Sequence, residues 1–148
     1  MDKKFMERAI TLAKTAAAQG EVPVGAVVVR DGKIIGEGYN RCEELSSPTA
    51  HAEIMAINAA AKTQKDWRLG GCSLYVTLEP CPMCAGAILG ARLDEVVFGA
   101  FDNRAGSCAN ESVVNLFSLG YENPPTVYGG IMEEECKTIL REFFEKRR

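Results

Sequence analysis

The sequence predicts an α/β domain in which a five-stranded sheet carries helices on both faces. Three observations point there. Two short β-branched runs flank Asp31-Gly32, a strong hairpin signal. Beyond them, segments of helical period alternate with short apolar runs. The chain has 148 residues, 47% of them hydrophobic, enough apolar side chain for a compact core. It shows no repeat, linker or low-complexity tract, so residues 1–148 are expected to form one domain.

Taken in order, Asp2 is placed to cap a first helix whose Phe5, Ala9, Leu12, Ala13 and Ala16 share one face and which ends near Gly20. Residues 24–30 and 33–39 are the strands of the hairpin. A helix is expected over 49–62, with Ile54, Ile57 and Ala61 turned inward. After a polar loop, 73–77 reads as a buried strand, 81–89 as a helix ended by Gly90, and 95–98 as another strand. A short fifth strand at 126–128 and a closing helix over 133–146 complete the set. The helices that begin near Thr49 and Cys81 are expected to start at the same edge of the sheet.

Those two helix starts carry the chemistry. The single histidine lies in Thr49-Ala50-His51-Ala52-Glu53, and the later stretch reads Thr77-Leu78-Glu79-Pro80-Cys81-Pro82-Met83-Cys84. Cys81 and Cys84, three residues apart, project from one face at a helix start and can grip one tetrahedral ion together with His51. Pro80 and Pro82 suit such a start, where a missing N–H leaves no partner wanting. The positive end of the helix dipole favours thiolate there. One nitrogen and two sulfur ligands leave a fourth position open, the mark of catalytic rather than structural zinc, and water bound there has its pKa lowered towards about 7.

Glu53, two residues after His51, is not needed as a ligand. A carboxylate beside the bound water can take its proton, pass it to a ring nitrogen and then protonate a departing amine. Hydrolytic deamination fits, and H-x-E followed by P-C-x-x-C is the signature of the zinc base deaminases. Taken singly, a C-x-x-C more often forms a redox pair or half of a zinc knuckle. A redox pair would sit near a thioredoxin-like pattern and a knuckle needs a second pair, whereas Cys42, Cys72, Cys108 and Cys136 stand singly. Those four are expected to be free thiols packed in the core, as suits a reducing compartment.

The stretches 22–29, 36–41, 48–54, 74–81 and 96–100 resemble the tRNA adenosine deaminases, a branch of the cytidine deaminase superfamily, and the likeness extends over nearly the whole chain. Phe143-Phe144-Glu145-Lys146-Arg147-Arg148 is similar to the phenylalanine pair and basic end of that branch's last helix. The resemblance implies a three-layer cytidine deaminase-like fold with a mixed sheet, one zinc ion per subunit, a homodimer, a cytoplasmic location, and the wobble adenosine of a tRNA anticodon stem-loop as substrate, converted to inosine. It implies substrate contacts by Asn40, Ala52, Val24 and the backbone of Glu79. It implies RNA contacts at Asp102, Phe143, Phe144, Arg147 and Arg148. Met83, Ala87 and Ile88 fit the expected dimer face, although apolar positions on a short helix are by default core.

The chain departs from that branch in two places. Where an Asn-His pair is usual, it reads Gly120-Tyr121-Glu122-Asn123-Pro124-Pro125, and the preceding stretch 108–114 is altered. A net charge of −3 and a pI near 5.3 argue against general nucleic-acid binding. Lys137, Arg141, Lys146, Arg147 and Arg148 form the candidate basic patch, with a solvated helix face as the plain alternative. Two other functions therefore stand beside RNA editing: deamination of a free base or nucleoside, and a binding module with purely structural zinc, against which the spare Glu53 argues. No apolar run approaches the length of a membrane span, so no membrane partner is expected.

Overall fold

The computed structural model describes residues 1–109 and 112–147; Asn110, Glu111 and Arg148 lie outside the described residues, and with them one expected RNA contact and part of the altered 108–114 stretch. Asp2 caps α1 (Lys3–Ala18) by accepting the Lys4 N–H at 3.0 Å, and the chain leaves the helix through Gly20 at φ +78°. β1 (Gly25–Arg30) and β2 (Lys33–Tyr39) pair antiparallel across Asp31 and Gly32, whose positive φ of 50° and 75° is what a two-residue turn needs to match strand twist. A one-turn helix, α2 (Cys42–Leu45), follows; the sequence pattern gave no sign of it. Then come α3 (Ala52–Gln64), β3 (Cys72–Leu78), α4 (Pro82–Ala91), β4 (Glu95–Ala100), a 3-10 turn at Leu116–Ser118, β5 (Thr126–Tyr128) and α5 (Glu133–Glu145).

The five strands form one mixed sheet in the order β2-β1-β3-β4-β5, antiparallel at β2, β1 and β3 and parallel at β3, β4 and β5. Alternation sorts the core into two layers. Ala26, Val28, Leu74, Val76, Val96 and Phe98 face α3 and α4, meeting Ala56, Ile57, Ala85 and Ile88. Val27, Val29, Tyr75 and Val97 face the other way, onto Phe5, Met6, Ala9 and Leu12 of α1 and Cys136 of α5. This is the three-layer arrangement the sequence predicts.

Two helices differ from expectation in instructive ways. α3 starts at Ala52, with His51 as its cap, not at Thr49. Its inward face is Ala52, Ala56 and Ala60 with Ile57, while Ile54 and Ala61 are only half-buried. The cause is proximity. A Cβ on Gly36 would lie 2.4 Å from the Ala56 carbonyl oxygen, and one on Gly38 would lie 2.5 Å from that of Ala52. The helix rides so low over β2 that only alanine fits beneath it, and large apolar side chains, which dominate a periodicity reading, flank the contact instead. α4 runs through Gly90 and ends at Arg92, in the left-handed region at φ 64°. All six cysteines are free; Cys72, Cys108 and Cys136 are buried as expected, and Cys42 is half-buried.

Gly38→Ala should therefore force α3 off the sheet and destabilise the chain by at least about 1–3 kcal/mol, whereas Gly70→Ala, which meets no atom within 4 Å, should stay within about 0.5 kcal/mol of wild type. Urea unfolding midpoints of the two variants check this; equal midpoints would contradict the close seating of α3.

Candidate active site

His51 and Cys81 occupy the cap positions of α3 and α4, and Cys84 sits in the first turn of α4. The sheet sets these two helix starts side by side, so three residues from two helices converge. The donor atoms of His51, Cys81 and Cys84 all lie within 4.8 Å of one another. His51 Nδ1 is 3.7 Å from Cys81 Sγ and 3.6 Å from Cys84 Sγ. Tetrahedral zinc with nitrogen near 2.0 Å and sulfur near 2.3 Å needs about 3.5 Å between such donors. The group is thus positioned to hold one zinc ion with three protein ligands. The hydrogen bond from Cys84, opposed by burial and aided by His51, pulls the Cys81 thiol down to about 4. The same Cys81 contact, followed by burial, pushes Cys84 up, and Cys81 also raises His51.

Glu53, in the first turn of α3, is 4% exposed, and burial pushes its carboxyl up to about 7. It lines a cavity of about 510 Å³ together with His51, Cys81, Val24 and Asn40. Asn40 is held there by both ends of its chain of contacts: its N–H donates to the Val24 carbonyl at 3.2 Å, and its Oδ1 accepts the Ala52 N–H at 2.8 Å. The side-chain amide nitrogen remains as a donor. Ala52 itself is fully buried, and its N–H is bonded to Asn40.

The far wall of the cavity is made by Asp102 and Ala105 and by Phe143, Phe144 and Arg147 at the end of α5. The Asp102 carboxylate accepts the Arg104 and Ala105 N–H groups at 2.9 and 3.2 Å, the ordinary work of a turn aspartate. Arg147 lays its guanidinium 4.2 Å from the Phe143 ring centroid and donates to the Gly20 carbonyl at 3.1 Å, tying α5 to the exit of α1. Phe144 is 47% exposed. The basic patch is smaller than the sequence suggests, because Lys137 is paired with Glu133 at 2.8 Å.

Two buried carboxylates escaped the sequence reading. Glu21 accepts the Glu43 and Glu44 N–H groups at 3.1 and 2.9 Å and so caps α2. Glu79, expected to contribute only backbone, has its own carboxylate buried at 2% exposure, accepting the Asp102 and Cys108 N–H groups at 3.0 Å each and the Ser112 hydroxyl. The one available signal was an acidic residue adjoining an apolar strand, since a buried carboxylate must find donors.

A family model for the cytidine and deoxycytidylate deaminase zinc-binding region matches residues 1–100. The tRNA-specific adenosine deaminase of Bacillus subtilis (strain 168) is 45% identical over 147 residues, covering 99% of this chain and 91% of that one. The chloroplastic tRNA(adenine(34)) deaminase of Arabidopsis thaliana is 46% identical over 164 residues, covering 99% of this chain but 12% of that far longer one. A solved structure from a study of A-to-I editing by tRNA deaminases at the wobble position of transfer RNA superposes with a TM-score of 0.90 at 45% identity, over 94% of this chain and 100% of the other. A guanine deaminase from Bacillus subtilis superposes with a TM-score of 0.65 at 45% identity, over 68% of this chain and 66% of that one.

Cys81→Ser should lower bound zinc from one ion per chain to a small fraction, measured by elemental analysis after dialysis, while the far-ultraviolet circular dichroism keeps its wild-type shape. Full zinc occupancy in that variant would show that the ion sits elsewhere.

Proposed function

The chain belongs to the cytidine and deoxycytidylate deaminase family, in its tRNA-specific adenosine deaminase branch, and from that membership we propose that it converts the wobble adenosine of a tRNA anticodon to inosine. The observation that carries the proposal is the convergence of the metal group, Glu53, Asn40 and the end of α5 on one cavity. Zinc, when held by His51, Cys81 and Cys84, supplies a bound water acidic enough to act as nucleophile near neutral pH. With the metal held there, Glu53 would pass one proton of the attacking water to the ring nitrogen as the oxygen bonds to the amino-bearing carbon, then carry the second proton, from that new hydroxyl, to the amine as its C–N bond breaks, so that adenosine and water become inosine and ammonia. Asn40 offers its amide nitrogen to the base edge, and its oxygen, held by Ala52, fixes the orientation of that donor. Val24 packs against the base face.

The cavity charge supports a substrate whose phosphates stay outside. Away from the metal group and Glu53, the lining residues carry the carboxylates of Glu21, Glu43, Glu79 and Asp102 against a single cation, Arg147. A bare base enters such a space more readily than a nucleotide's phosphate does. An anticodon loop presents its base already unpaired, avoiding an unstacking cost of about a few kcal/mol. Asp102, Phe143, Phe144 and Arg147 line the same cavity, which supports their meeting the neighbouring nucleotides, and Arg148, outside the described residues, is proposed to join them. We further propose that the chain acts as a single domain, in the cytoplasm, as a homodimer. Of the three dimer-face candidates, Met83 is partly exposed, whereas Ile88 is spent in the core. No helix among the described residues is long and apolar enough to cross a membrane.

The likeness to guanine deaminase favours a second reading, deamination of a free purine. One experiment separates the two. Wild-type protein loaded with zinc should convert the wobble adenosine of an anticodon stem-loop to inosine, read by product mass, and leave free guanine, cytosine and adenosine untouched. Glu53→Ala should lower that rate by about 10²–10⁴-fold or more while retaining zinc. An inert stem-loop beside deaminated guanine would transfer the function to free bases.

A further inference from the structure

Glu79 does something that neither its neighbours' metal chemistry nor the cavity lining requires. It follows β3 directly, and its N–H still donates to the Ala100 carbonyl at 2.8 Å, so its backbone is fixed by the sheet. From that fixed point its carboxylate reaches into the following loop. Oε1 accepts the Asp102 N–H and Oε2 accepts both the Cys108 N–H and the Ser112 hydroxyl. One residue on, the Pro80 carbonyl accepts the Ser107 N–H at 3.1 Å and the Ser107 hydroxyl at 2.9 Å. The loop closes tightly round the carboxylate: a Cβ on Gly106 would lie 2.4 Å from Glu79 Oε1 and 2.5 Å from the Asp102 carbonyl oxygen. A segment without regular structure is thus wound round two residues of a rigid strand end.

What that loop presents is the cavity rim. Asp102 and Ala105 line the same space as His51, Glu53 and Cys81, and the Asp102 carboxylate fixes the turn between them. The metal ligands, by contrast, are set by bonds that bypass Glu79: Cys81 accepts the Ala85 N–H at 2.9 Å, and His51 accepts that of Met55 at 3.0 Å, each opening its own helix. We infer that Glu79 is a positioning residue whose carboxylate clasps residues 102–109 and Ser112 into the shape that receives the nucleic-acid strand, an inference that rests on the RNA-editing function proposed above. A carboxylate is required because every partner is a donor. Glutamine at 79 would keep the volume but, in either orientation, turn an NH2 towards the N–H of Asp102 or of Cys108, breaking the clasp without opening a cavity.

Steady-state kinetics on the anticodon stem-loop test this with Glu79→Gln and Gly106→Ala, alongside the visible absorbance of the cobalt-substituted proteins and amide exchange over residues 100–109. Both variants should raise KM by at least about tenfold, the scale of a small misplacement of a substrate-positioning element, and move kcat by no more than about threefold. Their cobalt spectra should match wild type, while the Asp102 and Cys108 amides exchange faster. A fall in kcat with KM unchanged, a shifted cobalt spectrum, or wild-type values throughout would each overturn the inference. If Glu79→Gln fails to fold, Ser112→Ala, which removes one donor and spares both amides, should still raise KM, and an unchanged KM there would overturn it equally. A wild-type chain inert on the stem-loop would refute the editing function itself, whatever the variants do.

Discussion

The contact on which the site depends is the low seating of α3 on β2. Gly36 and Gly38 let the backbone of α3 approach the strand, and Ala52, Ala56 and Ala60 are small enough to lie in the gap. That contact fixes where α3 begins, and α3 begins at His51. The histidine must come within bonding range of a metal held by thiolates on a different helix, thirty residues further along the chain. Ligand distances tolerate only a few tenths of an ångström, so the helix that carries the imidazole cannot ride on adaptable side chains. The bond from Ala52 N–H to Asn40 Oδ1 then ties the same helix start to the end of β2. His51, Glu53 and the Asn40 amide are thereby placed by one piece of packing.

Three buried carboxylates show three answers to the cost of removing charge from water, which is several kcal/mol for an unpaired ion. Glu21 meets two backbone N–H groups of a helix start, and Glu79 meets two backbone N–H groups and a hydroxyl. These two are satisfied and rigid, as structural polar groups should be. For Glu53 burial is the leading influence, and its carboxyl is pushed up towards neutrality. A group left poised in that way is expected where protons are exchanged. The contrast separates the acid proposed to react from the acids that hold the loops around it.

Much of this was legible in the sequence, and the failures share a cause. The zinc ligands could be read because coordination chemistry demands particular atoms at particular spacings, and the structure brings His51, Cys81 and Cys84 together as that demand requires. The strands could be read because alternation and the Asp31-Gly32 turn are local signals. The inward face of α3 could not, since it is decided by glycines on another element. Nor could the Glu79 clasp, whose partners lie 23 to 33 residues away in a loop without periodicity. The bond from the Ala52 N–H to Asn40 escapes it for the same reason, since its partner is a side chain 12 residues earlier. Local pattern reports local structure; the long-range bonds that shape a site have to be seen.

An acidic chain can still attract a phosphate backbone if its charges are segregated, and α5 segregates them. Glu133, Glu134 and Glu135 fill its first turn, where the positive end of the helix dipole stabilises them, and Lys137 offsets only one. At the other end, three cations, Arg141, Lys146 and Arg147, stand against two carboxylates, Glu142 and Glu145. The helix spans 13 residues, so with a rise of about 1.5 Å each its ends lie about 20 Å apart. At physiological salt the Debye length is about 8 Å, less than half that distance. The glutamates at the start of α5 are therefore screened from a strand arriving at its end, where Arg147 and the phenylalanine pair border the cavity. A net charge of −3 describes the chain as a whole, whereas the cations at the end of α5 stand beside a cavity whose own lining is acidic, an arrangement that suits phosphates held outside while the base enters.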